Sequence, residues 1–372
     1  MVEWKKLNSC LDFEQPTPYL VKSTEYDDTY KTPVLTAGQS LLLGYTNETD
    51  GIYKASKEDP CIIFDDFTTS FHWIDFDFKV KSSAMKMLRP KEDVNFRYVY
   101  YAMLGINFVP GGHQRHWISK YSQFLIPIPS LSEQNRIVGI LDTFTASIDN
   151  LKEQIAQRRK QYEYYRDELL DLEGKEGVEM KTLGHFGDVT KLAGFEFTEH
   201  VTYKEDGEII ALRGLNVRNG HLDLSQVKYI DGSNFEKLGR SKLVINDMLF
   251  TYVGTIGNVA LINEDNKYYL APNVSRIRFD QNVIVPRFAL YVFMSEHFHR
   301  TQVNKFLNSS SMKNLSMENI RKFVLPVPPL SEQQRIVSLL DTFEASIQNL
   351  EAQLSQREKQ YEYYRNILLS FE

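Results

Sequence analysis

Residues 124–173 read FLIPIPSLSEQNRIVGILDTFTASIDNLKEQIAQRRKQYEYYRDELLDLE, and residues 323–372 read FVLPVPPLSEQQRIVSLLDTFEASIQNLEAQLSQREKQYEYYRNILLSFE. The two segments are identical at 32 of 50 positions, with a constant offset of 199 residues. The segments that precede them, residues 1–123 and 174–322, look unrelated to each other. The chain therefore alternates two variable segments with two copies of one constant segment, and the constant segment is the main clue to the architecture.

The constant segment carries an apolar pattern that predicts a long helix. Apolar side chains recur at alternating spacings of four and three residues over five heptads, which is typical of a coiled-coil seam. A helix of about 41 residues spans roughly 60 Å. We expect the two helices to pair in an antiparallel arrangement, the alternatives being a parallel pairing and a dimer between two chains. The first seam residues are Ile137, Leu141, Phe144, Ile148 and Leu151 in one copy and Ile336, Leu340, Phe343, Ile347 and Leu350 in the other.

Both helices have a recognisable start. A Pro-x-Pro sequence precedes each of them and imposes an extended approach. Ser132 and Ser331 are the predicted N-caps, and Ser331 forms a predicted capping box with Gln334.

The similarity between the copies extends beyond the seam. The sequence KQYEYYR is the same in both copies, whereas a seam needs only apolar residues at its core positions. Identical outward residues indicate that one kind of partner binds each helix once. The predicted docking residues are Gln161, Glu163 and Arg166 on the first helix and Gln360, Glu362 and Arg365 on the second.

Charge and cysteine content narrow the class of protein. The net charge of −6 comes from the constant segments, at −3 each, while the variable segments carry −2 and +2. A nearly neutral domain can concentrate Lys and Arg on one face, so the net charge does not exclude nucleic acid as a partner. Two cysteines without Cys/His spacing predict ordinary thiols in the cytoplasm and no metal site. No apolar stretch approaches the roughly 20 residues of a membrane span.

The variable segments predict an α+β fold. Short runs rich in β-branched and aromatic residues, such as 61–64 and 248–253, are expected to be strands, and a helix is expected before each Pro-x-Pro. We expect two globular domains separated by two long helices that pair as an antiparallel coiled coil. The predicted segments are domain 1 at residues 1–130, helix 1 at 131–173, domain 2 at 174–329 and helix 2 at 330–372.

Polar and glycine-rich loops in both domains carry residue types that contact nucleic acid. Arg reads guanine edges, Asn and Gln read adenine, and small hydroxyl residues or backbone amides hold phosphates. The candidate DNA-binding residues are Gly112, His113, Gln114 and Arg115 in the first domain, and Arg213, Asn216, Arg218, Asn219, Tyr252, Gly254, Thr255, Gly257, Asn258, Ser309, Ser310, Ser311 and Lys313 in the second.

Familiar catalytic motifs do not occur in the sequence. There is no GxxxxGK[ST] phosphate loop, no GxGxxG, no HExxH and no GxSxG. The carboxylate pairs Asp65/Asp66 and Asp75/Asp77 are interpreted as surface residues. Asp65 and Asp66 are adjacent and would point to opposite faces of a strand, and Asp75 and Asp77 would share a face but have no obvious third ligand. We therefore expect no catalytic residues and no bound metal.

The repeated pattern PxPxLSEQxRIVxxLDTFxxSIxNL closely resembles the specificity subunit of type I restriction–modification systems. The second domain is also similar to a target-recognition domain of that family, with HFGDV at 185–189, LRGLNV at 212–217, GTIGN at 254–258 and a serine-rich loop before residue 329. The first domain departs from this pattern, because CIIFDDFTTSFHW stands in place of the GTIG turn.

The resemblance implies a non-catalytic subunit that binds double-stranded DNA. Each domain then reads one half of a split target, while the helices set the gap and dock two methyltransferase subunits. It further implies that S-adenosylmethionine binds the methyltransferase partner and that restriction subunits join the resulting core. The competing hypotheses are a coiled-coil scaffold that holds two protein-binding domains, and an enzyme with unrecognised motifs.

Overall fold

The computed structural model describes residues 2–36, 38, 40–91, 93–112, 114–192, 194–307 and 314–371, with only the backbone of 194–196. The chain divides into two compact units. Unit 1 contains Met1–Lys152 and Ala352–Glu372, and unit 2 contains Glu153–Glu351. Each unit combines one variable domain with parts of both constant segments, so the units differ from the four consecutive predicted segments. Within the described residues, no helix has the length and apolarity to cross a membrane.

Unit 1 is built around one antiparallel sheet. Its strands are β1 (Glu3–Lys6), β2 (Leu11–Glu14), β3 (Thr32–Leu35), β4 (Leu42–Thr46), β5 (Cys61–Asp65), β6 (Phe71–Ile74), β7 (Lys79–Val80), β8 (Met85–Pro90) and β9 (Leu125–Ile128). Its helices are α1 (Leu7–Cys10), α2 (Phe96–Leu104), the first part of α3 (Leu131–Leu170) and the last part of α9 (Leu330–Leu369). The main sheet has the order β2-β8-β5-β6, a second sheet has the order β4-β3-β7, and β1 pairs with β9 in a separate ribbon.

Unit 2 has a corresponding set of elements. Its strands are β10 (Glu179–Thr182), β11 (Gly187–Lys191), β12 (Ile210–Leu212), β13 (Val217–Arg218), β14 (His221–Leu222), β15 (Met248–Thr251), β16 (Val259–Leu261), β17 (Tyr268–Leu270), β18 (Val274–Phe279) and β19 (Val324–Val327). Its helices are the last part of α3, α4 (Gly194–His200), α5 (Pro286–Met294), α6 (Glu296–Phe298), α7 (Asn304–Phe306), α8 (Met317–Arg321) and the first part of α9 (Leu330–Leu369). A π-helical turn, His299–Val303, joins α6 to α7.

The two domains share one chain path. The main sheet of unit 2 has the order β11-β18-β15-β16, and β10 pairs with β19 as β1 pairs with β9. Glu3 lies opposite Ile128 in the first ribbon, and Glu179 lies opposite Val327 in the second. The shared sequence VExKxL at residues 2–7 and 178–183 marks this correspondence. The apparent lack of relation between the variable segments therefore does not extend to their topology.

Both long helices begin at the first residue of their predicted segments, which is before the predicted N-caps. The helix α3 begins one residue before Ser132, and α9 begins one residue before Ser331. The predicted N-caps, and the capping box with Gln334, are wrong because these residues lie inside the first helical turn. In α3 the Ser130 hydroxyl accepts a hydrogen bond from the amide of Glu133 at 3.3 Å.

A buried glutamine in the first turn ties each long helix to its domain. Gln134 is 1% exposed and Gln333 is fully buried. Gln134 accepts from the amide of Asn95, before α2, at 2.9 Å and donates to the carbonyl of Pro129 at 2.8 Å. Gln333 accepts in the same way from the amide of Val285, before α5, at 2.7 Å. Because a side-chain amide donates and accepts at once, each glutamine joins three chain segments in one network.

Segments of α3 and α9 pack antiparallel within each unit. In unit 1 the ring of Phe144 stacks on Tyr364 with 5.3 Å between centroids, and in unit 2 Tyr165 stacks on Phe343 at 5.4 Å. These rings occupy the same two positions of the repeat with their helices exchanged. The predicted antiparallel pairing within one chain is confirmed.

The seam residues differ in what they pack against. Ile137 and Leu141 are fully buried in the core of unit 1, together with residues of the main sheet and α2. Ile336 and Leu340 take the same place in unit 2. The later seam residues are less enclosed: Ile148 is buried, whereas Phe144, Leu151, Phe343, Ile347 and Leu350 are half-buried. The start of each seam thus belongs to a globular core as well as to the helix pair.

One carboxylate predicted to lie at the surface is buried. The side chains of Asp66 and Lys86 are 2% and 1% exposed and form an ion pair at 3.1 Å. Asp66 also accepts from the amide of Trp117 at 2.7 Å. A charge removed from water needs such partners, so this pair belongs to the core, and the prediction for Asp66 is wrong. Asp77 is exposed, as predicted.

Candidate nucleic-acid interface

A glycine-rich turn joins β15 to β16 and is held by its own hydrogen bonds. The Thr251 hydroxyl donates to the carbonyl of Thr255 at 2.6 Å and accepts from the amide of Asn258 at 3.0 Å. The amide of Gly257 donates to the carbonyl of Thr251 at 3.0 Å. The amides of Gly257 and Asn258 are therefore already used within the turn. Gly254 and Thr255 are the exposed residues that a ligand can reach.

Gly257 lets this turn approach the π-helical turn closely. Its φ is 95°, a conformation that favours glycine. A Cβ atom at this position would lie 2.4 Å from the imidazole ring of His299, so no other residue fits without displacing that ring. Burial lowers the pKa of His299 and favours its neutral form. The turn is therefore anchored on a neutral, half-buried histidine.

Two predicted base-reading side chains instead hold together the loop after β12. Asn216 is fully buried, and its amide donates to the carbonyls of Asp223 at 2.9 Å and Gln226 at 3.0 Å. Its oxygen accepts from the amide of Arg213 at 3.1 Å. The guanidinium of Arg213, which is half-buried, donates to the carbonyl of Gln226 at 2.9 Å. The prediction that Asn216 contacts DNA is wrong, because each polar atom of its side chain already has a partner.

Arg218 and Asn219 lie at the tip of the β13–β14 hairpin. Asn219 and Gly220 have φ values of 44° and 85°, as a two-residue hairpin turn requires. The side chain of Arg218 is 64% exposed and lies 3.4 Å from Asp223. An exposed ion pair of this kind contributes little, so Arg218 can exchange it for a phosphate or a base edge. Asn219 is exposed, but its positive φ also gives it a structural role, because Asn is one of the residues that hairpin turns of this kind favour.

Tyr252 is buried, which contradicts its predicted role in DNA binding. It is 9% exposed, and burial raises the pKa of its phenol. The exposed ammonium group of Lys191, on β11, lies 5.7 Å from the centre of its ring. Lys191 makes no ion pair with any residue that the structure describes. It is a cation of the candidate interface that the sequence did not reveal, because it lies 61 residues from Tyr252 along the chain.

Backbone contacts bring the candidate loops of unit 2 together. The amide of Gly220, at the hairpin tip, donates to the carbonyl of Val259 on β16 at 2.9 Å. Val253 forms a β-bridge with Asn314, which directly follows the serine-rich loop. Ser309, Ser310, Ser311 and Lys313 lie outside the described residues. The hairpin tip, the glycine-rich turn and the end of the serine-rich loop thus meet beside one hairpin.

The candidate loop of unit 1 is only partly accessible. Gly112, Gln114 and Arg115 are exposed, and Gly112 has a φ of 71°. His113 lies outside the described residues. His116, at the end of the same loop, is fully buried and has no hydrogen-bond partner for either ring nitrogen in the described part of the chain. Arg115 is therefore the exposed cation of this loop.

An aspartate in the LDTF sequence of each long helix bonds to the helix of its domain. In unit 1 the Arg97 guanidinium and the Tyr101 hydroxyl donate to Asp142 at 2.8 and 2.5 Å. Burial and the bond to Asp142 raise the pKa of Tyr101, so its hydroxyl remains a donor. Although burial alone lowers the pKa of Arg97, the bond to Asp142 raises it. Sequence reasoning missed this contact, although RxxxY on the domain helix and Asp on the long helix recur in both halves.

Unit 2 has the same contact with one addition. Arg287 and Tyr291 donate to Asp341 at 2.9 and 2.5 Å. Arg287 also contacts Glu344 at 2.5 Å, and the Tyr162 hydroxyl donates to Glu344 at 3.2 Å. The corresponding residue in the first copy is a threonine. The second domain is thus fixed to its helices by one more carboxylate than the first.

The identical segments of the long helices are not uniformly outward. Gln161, Glu163 and Glu362 are exposed, but Gln360 is half-buried. Arg166 and Arg365 are also half-buried, each lying over a tyrosine of its own helix with 5.8 and 5.7 Å to the ring centre. These three residues are therefore less accessible than the other three predicted docking residues.

Two aromatic side chains that sequence reasoning did not single out are more accessible. Tyr164 and Tyr363, at equivalent positions of the two copies, are 65% and 62% exposed. Exposed aromatic residues are frequent anchors in protein interfaces. Among the residues described, no group of three or more His, Cys, Asp or Glu side chains could hold a metal ion.

Comparison with known proteins assigns a family to this architecture. The family model described as "Type I restriction modification DNA specificity domain" matches residues 1–158 and 175–358. The specificity subunit of the type I restriction enzymes EcoR124I/EcoR124II of Escherichia coli is 39% identical over 391 residues, covering 100% of this chain and 94% of that protein.

Two solved structures have a similar fold. The S subunit of a type I restriction–modification system from M. genitalium has a TM-score of 0.62 at 14% identity, covering 100% of this chain and 97% of its own. A chain from a study of complex assembly and conformational transition in the type I R-M system has a TM-score of 0.58 at 15% identity, covering 99% and 96%.

Proposed function

Because the chain belongs to the family of type I restriction–modification DNA specificity subunits, we propose that each of its domains reads one half of a bipartite target in double-stranded DNA. The observation that carries this proposal is the repeated topology: two domains with the same sheet order differ in their loops. A common scaffold with different loops is the arrangement expected of two readers with different half-sites. The chain supplies sequence specificity.

The exposed side chains of the loops are the proposed contacts. In unit 2 these are Arg218, Thr255 and Lys191, and in unit 1 they are Gln114 and Arg115. Arginine can read guanine in the major groove, whereas lysine and threonine hold phosphates. Asn216 and Tyr252 support these contacts indirectly, by holding the loops that carry them.

The helix pair has two proposed roles. It holds the domains at a distance that sets the gap between half-sites, which raises the effective concentration of the second contact once the first has formed. It also docks two methyltransferase subunits, one on each copy, with the exposed Tyr164 and Tyr363 as anchors. Restriction subunits then join the complex through this methyltransferase core.

The chemistry is assigned to the partners. The methyltransferase subunits bind S-adenosylmethionine and modify a base that is flipped out of the duplex. This chain is proposed to be non-catalytic, and its contribution is the choice of sequence. Purified alone with DNA, magnesium and S-adenosylmethionine, it is expected to show no turnover.

A single-molecule methylome of the host, with and without the gene, tests the proposal. We expect loss of methylation at one motif that consists of two short defined halves around a gap of fixed length. A matched strain that carries R218A should lose methylation at the same motif, which links the effect to unit 2. Loss at a continuous, unsplit motif would contradict the two-reader proposal.

A further inference from the structure

Unit 2 contains a groove of about 920 Å³ at the end of α3, outside the loops already described. Its walls are the last turns of α3 and the chain that follows, the ribbon β10–β19, and residues 295–302 around the π-helical turn. The apolar and aromatic part of the lining consists of Tyr164, which is also the proposed methyltransferase anchor, and of Leu170, Leu172, Met180, Val292, Phe298, Val324 and Pro326. Met180 is 44% exposed, so apolar surface is open to solvent within the groove.

The lining of this groove is strongly acidic. It includes Asp167, Glu168, Asp171, Glu173 and Glu296, against the single arginine Arg300. Asp167 pairs with Arg166 at 2.8 Å. The other four carboxylates make no ion pair with any residue in the described part of the chain. Like charges at this density repel one another and favour a cationic occupant.

The acidic lining is specific to one half of the chain. At the equivalent positions of the second copy, Asn366, Ile367 and Ser370 replace Asp167, Glu168 and Asp171. The two copies are otherwise identical over KQYEYYR, immediately before these positions. Three carboxylates therefore appear in the repeat only where α3 borders the groove.

We propose that this groove docks a segment of a protein partner that carries Lys or Arg beside apolar side chains. Apolar residues of that segment cover Leu170, Met180 and Val324, and its cations neutralise the carboxylates along the end of α3. The three carboxylates of the repeat that line the site occur on α3 and not at the equivalent positions of α9, so the site gives the two halves of the chain unequal partners. It does not depend on how the domains read DNA, because none of its lining residues belongs to the candidate DNA-binding loops.

The test uses the full chain and a fluorescein-labelled helical peptide of about 14 leucine and lysine residues, with the lysines on one face. Binding is measured by fluorescence anisotropy. The variant D167N/E168I/D171S gives the first copy the residues of the second. We expect it to bind the peptide about tenfold more weakly, because three exposed charge pairs are lost. A peptide with glutamate in place of lysine should not bind the wild-type chain.

Two controls separate the groove from charge alone. The variant N366D/I367E/S370D places the same carboxylates on the second copy, where we expect no gain in peptide affinity. Circular dichroism should show the same helix content in all three proteins, because all six exchanged residues are exposed. Equal binding by the wild type and the first variant, a gain in the second variant, or no binding of the lysine peptide to the wild type would overturn the proposal.

Discussion

The carboxylate of Asp142 offers a direct test of how a domain is held on its helix. Replacing Asp142 with Asn keeps the shape of the side chain but removes the charge that Arg97 and Tyr101 share. Hydrogen bonds to charged groups contribute about 1.5–3 kcal/mol each. Because the side chain of Asp142 is 44% exposed, solvent screening reduces the sum. We expect D142N to lower the free energy of unfolding of unit 1 by about 2 kcal/mol.

The matched change in unit 2 should cost less. In D341N, Arg287 keeps its contact with Glu344 at 2.5 Å, so its charge is still paired. We expect a loss of about 1 kcal/mol. The first copy has Thr145 at the position of Glu344. In D142N/T145E the new glutamate should therefore take up Arg97 and restore about half of the lost free energy.

Fluorescence can follow unit 1 alone. The tryptophans of the chain are Trp4, Trp73 and Trp117, and all three lie in unit 1. The guanidinium of Arg97 lies 4.7 Å from the ring centre of Trp73, so the signal also reports the site of the change. Urea unfolding followed by tryptophan emission gives the loss for D142N. Hydrogen exchange of the α5 amides gives the loss for D341N.

The comparison has a clear failing outcome. If D142N and D341N lower the free energy of unfolding equally, the additional carboxylate of unit 2, Glu344, does not stabilise the charge of Arg287 in D341N. If T145E restores nothing in the D142N background, the bond depends on the exact position of Asp142 and not on charge near Arg97. Either result refutes the reasoning from charged hydrogen bonds.

Four further predictions concern other sites. R218A should weaken DNA binding by about 1–3 kcal/mol without changing stability, whereas N216A should lower the melting temperature of unit 2. Filter binding measures the first effect and calorimetry the second. An equal loss of stability in both variants would contradict the assignment of Arg218 to DNA binding and of Asn216 to holding its loop. Because burial lowers the pKa of His299, the unfolded chain binds a proton at a higher pH than the folded chain does. The free energy of unfolding therefore falls as the pH drops below about 6.5. H299Q should remove this part of the pH dependence of the urea midpoint, and an unchanged dependence would contradict the role given to His299. Y164A or Y363A should weaken methyltransferase docking about tenfold at the copy that carries the change. Sedimentation measures this affinity, and an unchanged helix content is the control for intact folding. Inserting one heptad in both α3 and α9 should lengthen the gap in the methylated motif by about three base pairs and leave both half-sites unchanged; a gap of the original length would exclude the spacing role.

The helix pair could be predicted because its signal is local and repeated. A 3.5-residue apolar period over two copies specifies the long helices, and the need to cover two such seams indicates that they pair. The buried Gln134 and Gln333 could not be predicted in the same way. A glutamine beside an N-terminus is usually solvated, and only the packing of the domain helix against the first turn encloses it.

The candidate interface was predicted from residue types in loops. Residue type alone cannot distinguish a side chain that contacts DNA from one that makes hydrogen bonds within its own loop. Asn216 in a loop has the same sequence signature whether its amide faces DNA or closes its own loop. The structure decides, because the carbonyls of Asp223 and Gln226 come within 3.0 Å of it. The correspondence of the two domains could have been found from VExKxL at residues 2–7 and 178–183, which aligns both ribbons.

The division of the chain into units has a consequence for the order of synthesis on the ribosome. Unit 2 is one continuous stretch, Glu153–Glu351, and can complete its core as soon as that stretch has emerged. Unit 1 begins the chain but also needs Ala352–Glu372, from which Tyr361, Leu368 and Phe371 pack on its core. Unit 2 must be translated between the two parts of unit 1. At about 5–20 residues per second, this delays the C-terminal part of unit 1 by roughly 10–40 seconds. The domain that is translated first is therefore the one that finishes folding last.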